Sequence, residues 1–301
     1  MKALIFAAGL GTRLRPLTDS LPKALVNVGG ETLLSHVIRR LKAAGLDDIV
    51  INTCFFAEKI STYLAENNNF GIRISISDER GVLRNDALSA VGGAVSDTLS
   101  SPNGAAPDPH RALHSAALGL VSDKGSDTFD SLPPIESPLE TGGGIRFAEP
   151  LLKGSGHFLI HNVDIVSDLD LPWFISQSTP NSLATLLVSE RKTQRYFLFD
   201  DDMRMVGWTN IATGEVRSPY PGLDPTHYRK LAFAGIHMLS EKAFGLFGEY
   251  GFGRKFSITD FYIRSCKDYP IYGIAPDNLT LIDVGKHDTL ALADSWLRAR
   301  Q

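Results

Sequence analysis

Close to its amino terminus the chain reads Ala7-Ala8-Gly9-Leu10-Gly11-Thr12-Arg13-Leu14-Arg15-Pro16-Leu17-Thr18, and then Pro22-Lys23-Ala24-Leu25. Glycines that directly follow a short apolar run let backbone N–H groups approach phosphate oxygens. Arg13 can add a bidentate fork and Lys23 a point charge, the two kinds of cation that a polyphosphate calls for. Two common phosphate loops are excluded by spacing. G-x-G-x-x-G needs a glycine where Leu14 stands, and no G-x-x-x-x-G-K-[ST] surrounds Lys23. Asp164 and Asp283 each follow an apolar run, Phe158–Ile160 and Leu279–Ile282, which places them at strand ends. Two carboxylates at one cleft, completed by phosphate oxygens and water, make a Mg²⁺ site. Any one of these residues alone reads as a turn, a cap or surface charge, and it is their combination that points to phosphate chemistry.

The elements that must carry these residues alternate. The run Ala3–Ala8 reads as a buried strand, Leu33–Ala44 as a helix with Leu34, Val37, Ile38 and Leu41 on one face, and Asp48–Asn52 as a second strand. Gly45 is the stop signal between them. Helix Ala57–Glu66 and strand Ile72–Ser77 continue the pattern, and Gly156–His161, Leu171–Gln177 and Ala184–Val188 repeat it. Such alternation predicts an α/β fold, a Rossmann-like three-layer sandwich around a mainly parallel sheet, whose ligands bind beyond the carboxyl ends of the strands. Asp200-Asp201-Asp202, between two strand-like runs, reads as a solvated hairpin turn.

One expected domain spans residues 1–301, interrupted at 81–137. Of those 57 residues 20 are Ser, Gly or Pro and one is aromatic, so the segment reads as a flexible insertion, with a short helix expected over Arg111–Leu120. Thirty Lys and Arg against 34 Asp and Glu leave no basic footprint for nucleic acid. No apolar run approaches the length of a membrane span. Cys54 and Cys266 show no disulfide or zinc spacing, which fits a reducing cytoplasm, and His110, His114, His157, His227 and His237 show no metal spacing. Oligomeric state is not legible at this level.

The ordered set G-x-G-T-R-x-x-P-x-T…P-K-A-L resembles the sugar-1-phosphate nucleotidyltransferases. Leu139-Glu140-Thr141-Gly142-Gly143-Gly144-Ile145 looks like that family's nucleobase-side segment, and His161-Asn162-Val163-Asp164 like its N-x-D metal strand. Phe233-Ala234-Gly235-Ile236 and Ile282-Asp283-Val284-Gly285 look like its sugar-side and second metal segments. The resemblance implies transfer of a nucleotidyl group to a sugar-1-phosphate, with pyrophosphate released and Mg²⁺ as cofactor. Ala8, Gly9, Gly11, Thr12, Arg13, Lys23, Glu140, Gly142 and Gly143 would hold the nucleotide, with Arg13 and Lys23 catalytic. Asn162, Arg191, Arg195 and Gly235 would hold the sugar phosphate, and Asp164 and Asp283 the metal. Thr141 would cap a helix starting near Ile145.

The Leu-Glu-Thr-Gly-Gly-Gly-Ile version is most similar to N-acetylmuramate-1-phosphate uridylyltransferases, implying UTP as donor and a place in cell-wall peptidoglycan recycling. Short mannose-1-phosphate guanylyltransferases are the alternative, and a non-catalytic nucleotide-binding homologue a third. The chain departs from the family at three places. Val163 replaces a usual glycine, Arg191 stands where a lysine is usual, and Gly285-Lys286-His287 replaces Gly-Thr-Pro.

Overall fold

The computed structural model describes residues 1–80, the strand 82–86 and residues 138–300. From the amino terminus, β1 (Lys2–Phe6) leads through the glycine loop to a small hairpin of β2 (Asn27–Val28) and β3 (Glu31–Thr32), then α1 (Leu33–Ala43) and β4 (Asp48–Thr53). Next come α2 (Ala57–Glu66), β5 (Arg73–Asp78) and β6 (Val82–Asp86). Beyond residue 137 lie α3 (Glu140–Phe147), α4 (Glu149–Leu152), β7 (His157–Asn162), β8 (Ile165–Ser167), α5 (Leu171–Ser176) and β9 (Ala184–Ser189). The remainder is β10 (Arg195–Phe199), β11 (Met205–Asn210), β12 (Glu215–Arg217), β13 (Arg229–Ser240), α6 (Ala243–Glu249), α7 (Ile258–Ser265), β14 (Ile271–Ile274), β15 (Leu281–Asp283) and α8 (His287–Arg298).

Local chemistry accounts for the boundaries. Thr32 Oγ1 accepts from the Ser35 N–H at 3.0 Å and starts α1, which buries Leu34, Val37, Ile38 and Leu41; Gly45, at φ +79°, ends it. Asp170 caps α5 in the same way through the Trp173 N–H.

The main sheet runs β12-β11-β10-β13-β7-β1-β4-β5-β6, with β9 also paired to β13 and β14 to β9. Its centre, β7-β1-β4-β5, is parallel, as the alternating pattern predicts. From β13 outward through β10, β11 and β12 the pairing is antiparallel. Alternate residues of β1, β4 and β7 enter different cores. Ala3, Ile5, Ile49 and Ile51 pack with α1, α2, α5 and α8, whereas Leu4, Val50, Phe158 and Ile160 pack with α3, α4, α6 and α7. Two faces covered by helices are what require continuous apolar runs in the central strands.

Two expectations need correction. Val82–Asp86 pairs antiparallel with Arg73–Asp78, so the sheet extends into the range read as an insertion. The helix expected near Ile145 begins at Glu140, and Thr141 does not cap it; Thr141 Oγ1 accepts from the Ile258 N–H at 3.0 Å, at the start of α7. The helix expected over 111–120, and the rest of the expected insertion, lie outside the described residues. Asp200 ends β10 in a turn where its carboxylate accepts from the Asp202 and Arg204 N–H groups, as a solvated hairpin turn should. Among the described residues no helix is long and apolar enough to cross a membrane.

Candidate functional site

A cleft of about 370 Å³ opens over the carboxyl ends of β1, β4 and β7, floored by Phe6, Asn52 and Asn162. Residues Ala7–Arg13, Lys23, Glu79, Pro138, Glu140 and Thr141 also line it. Gly11 holds the loop's shape at φ +62°. A Cβ there would lie 3.0 Å from Thr18 Cγ2 and 3.1 Å from Lys23 Cβ, and Thr18 Oγ1 donates to the Gly11 carbonyl at 2.8 Å. The loop is thus folded back onto the residues that deliver Lys23.

Lys23 is 8% exposed and its ammonium is paired with the Asp164 carboxylate. A buried lysine needs such a partner. Asp164 and Asp283 are brought together by the short antiparallel pair β8–β15, in which Asp283 faces Ile165, and by the Val284 N–H donating to the Asp164 carbonyl at 2.8 Å. Burial, and then the neighbouring Asp164 charge, push the Asp283 carboxyl above its ordinary range, against the pull of Lys23, Arg191 and Arg13. Its Oδ1 is buried without a hydrogen-bond partner among the described residues. A Cβ on Gly285 would lie 2.9 Å from that oxygen and 3.0 Å from Arg13 Nη2, so the absent side chain lets the guanidinium and the carboxylate share the cleft edge.

A pair of carboxylates, one with an orphaned oxygen, fits a hard divalent cation that takes its other ligands from phosphates and water. Among the described residues no group of three or more His, Cys, Asp or Glu side chains is arranged to hold a metal by itself.

Toward β13, Gly235 has φ +74°, and a Cβ there would lie 2.6 Å from Asn162 Nδ2. Asn162 and Gly235 are therefore in contact. Arg191 Nη2 donates to the Phe233 carbonyl at 3.1 Å, and its charge reaches Asp283. Arg195 instead starts the β10 hairpin, opposite Asn210.

Two glycines of α3 pack against the segment that precedes α7. The N–H groups of Gly142 and Gly143 both donate to the Phe256 carbonyl, at 2.9 and 3.1 Å. A Cβ on Gly142 would sit 2.3 Å from the Phe256 ring, and one on Gly143 2.3 Å from the Arg254 carbonyl. Their missing side chains admit the segment 254–256. Glu140 does line the cleft, in a left-handed conformation at φ +63°.

Glu79 was not singled out from the sequence. It lies in the cleft, 1% exposed, and its Oε2 accepts from the Leu139 N–H at 2.8 Å. Burial pushes its carboxyl up to about 7, with the Asp78 charge adding to the shift while the Leu139 N–H and Asn52 amide oppose it. The available signal was positional, since Glu79 comes directly after the strand-like run Ile72–Ser77 and Asp78.

Residues 2–94 match the Nucleotidyl transferase family. An N-acetylmuramate alpha-1-phosphate uridylyltransferase of Neisseria meningitidis is 32% identical over 170 residues, 56% of this chain and 49% of that protein. One from Caulobacter vibrioides is 48% identical over 80 residues, 26% of this chain and 33% of that protein. A mannose-1-phosphate guanyltransferase of Neurospora crassa is 50% identical over 80 residues, 26% of this chain and 22% of that protein. The aligned part is thus half or less of each of these relatives. Among solved structures, HddC from Yersinia pseudotuberculosis complexed with GMP-PN superposes with a TM-score of 0.62 at 17% identity, covering 98% of both chains. The inositol-1-phosphate CTP transferase from T. maritima gives 0.64 at 13% identity, covering 99% of this chain and 95% of that one. The glycine loop, Arg13 and Lys23 all fall within the matched segment.

Proposed function

We propose that the protein is a sugar-1-phosphate nucleotidyltransferase that joins UTP to N-acetylmuramate-1-phosphate and releases pyrophosphate. The observation that carries this reading is the convergence of the glycine loop, Arg13 and the Lys23–Asp164 pair in the cleft, with Asp283 beside Arg13 at Gly285. The nucleophile, a phosphate monoester oxygen, is already an anion at neutral pH. No strong general base is needed, and the obstacle is bringing two polyanions together for in-line attack on the α-phosphorus. The Arg13 fork grips the outgoing phosphates, and Lys23 places its charge against the transferring phosphoryl group. Asp164 holds that ammonium in place until the substrate's charge competes for it. Arg191, anchored on the Phe233 carbonyl, is the cation on the sugar-phosphate side, and Asn162 with Gly235 leaves room for the sugar. Asp164 and Asp283 would hold Mg²⁺, which when bound neutralises phosphate charge and orients the α-phosphate.

Mannose-1-phosphate with GTP is the second reading, favoured by the 50% identity to the Neurospora crassa protein over 80 residues. A non-catalytic homologue is disfavoured because Arg13, Lys23 and Asp164 are all present. The test is pyrophosphate release with Mg²⁺, crossing UTP, GTP, dTTP, CTP and ATP against N-acetylmuramate-, N-acetylglucosamine-, glucose- and mannose-1-phosphate. UTP with N-acetylmuramate-1-phosphate is expected to lead. Preference for GTP with mannose-1-phosphate would transfer the assignment to the second reading, and bound nucleotide without turnover on any sugar would favour the third.

A further inference from the structure

The segment after Asp283 departs from its family where Gly285-Lys286-His287 stands in place of Gly-Thr-Pro, and the structure shows what the histidine does. His287 opens α8, and its Nε2 lies 2.9 Å from the carbonyl oxygen of Arg15, 272 residues away in the chain. A carbonyl only accepts, so Nε2 carries the proton, and the ring donates whether neutral in that tautomer or protonated. A proline at this position has no side-chain donor. The same two segments meet a second time, where the Arg13 guanidinium passes over Gly285 beside Asp283.

We propose that His287 is a positioning residue, clasping the Arg13-bearing loop to the segment that carries Asp283 so that cation and carboxylate keep a fixed separation. The clasp acts through the backbone of Arg15, and its consequence for substrate rests on the reading that Arg13 grips triphosphate. Inside the loop, the Leu14 and Leu17 N–H groups donate to the Gly11 and Leu14 carbonyls at 2.8 and 3.0 Å. Their exchange with solvent therefore reports on the loop directly.

The experiment compares His287→Ala and His287→Gln with the wild type in two ways. Amide hydrogen exchange over residues 9–18 of the ligand-free protein tests the clasp without any turnover. Loss of one hydrogen bond is expected to speed exchange there about three- to tenfold in His287→Ala, while Gln, whose amide N–H also donates, stays near wild type. The KM for the nucleoside triphosphate is then expected to rise about three- to tenfold in the alanine variant, with the KM for the sugar phosphate unmoved. Unchanged exchange over residues 9–18 in His287→Ala overturns the clasp. So does a parallel rise of both KM values with a lowered unfolding midpoint, the pattern of general destabilisation. A wild-type protein that binds no triphosphate fails the functional reading, and the exchange result still decides the clasp.

Discussion

Glu79→Gln separates the electrostatic cost of a buried carboxylate from everything else that titrates. The Glu79 carboxyl ionises near pH 7 in the folded chain against an ordinary value of 4.5. Between those two values the folded state binds more protons than the unfolded one, so this residue makes stability fall as pH rises and then level off above about pH 7. At about 1.36 kcal/mol per pH unit of difference, ionised Glu79 costs the fold roughly 3 kcal/mol in the alkaline plateau. Two buried histidines act in the opposite sense. Burial holds His161 down to about 4 and His237 to about 3, from 6.5, so their contribution rises as pH climbs through that window. The wild-type curve alone therefore mixes signs, and the quantity to measure is the difference between wild type and Glu79→Gln. Glutamine keeps a carbonyl oxygen for the Leu139 N–H, which the carboxylate now holds at 2.8 Å. Urea unfolding from pH 4 to 9 is expected to show near-equal stabilities at pH 4, and a Gln advantage that grows to roughly 3 kcal/mol by pH 8. A difference that stays constant across that range would refute the assignment of the titration to Glu79.

The other predictions concern single positions. Lys23→Ala is expected to lower kcat by about 10²–10³-fold, as for removal of one group that stabilises developing charge; steady-state pyrophosphate release checks this, and near-normal turnover would remove Lys23 from the mechanism. Gly142→Ala drives a methyl to within 2.3 Å of the Phe256 ring and is expected to destabilise by about 1–3 kcal/mol, read as a lowered unfolding midpoint. Gly235→Ala combines a left-handed backbone with a Cβ 2.6 Å from Asn162 Nδ2, and is expected to raise the KM for sugar-1-phosphate more than that for nucleotide.

The parallel centre of the fold was legible because its signals are local. Leu34, Val37, Ile38 and Leu41 repeat at helical spacing, and the runs ending at Phe6, Asn52 and Asn162 are too short and too continuous for anything but strands buried on both faces. The antiparallel half was not, since β13 pairs with β7, β9 and β10 at once through a bulge around Gly235, and no periodicity encodes three partners. At the site, Arg13, Lys23, Asp164 and Asp283 could be named as a group from their order along the chain. The packing partners of Gly142 and Gly143 could not be read in the same way. A glycine pair admits close approach, and the group that makes it here, Phe256, lies far along the chain. Glu79 was missed because a single acid after a strand looks like any solvated turn until its burial is known.

The cleft-lining residues Glu79, Pro138, Glu140 and Thr141 are flanked by two moorings. On one side Val82–Asp86 is zipped to β5; on the other Leu139 hangs from Glu79, and the first turn of α3 is tied to the Phe256 carbonyl. Chain entering and leaving this connection is thus secured at both ends by the body of the protein. Extra length inserted between two fixed posts adds only a slowly growing closure entropy, about 0.6 kcal/mol for each doubling. The connection between β6 and α3 is accordingly a place where chain can be added or removed at a small entropic cost to the fold.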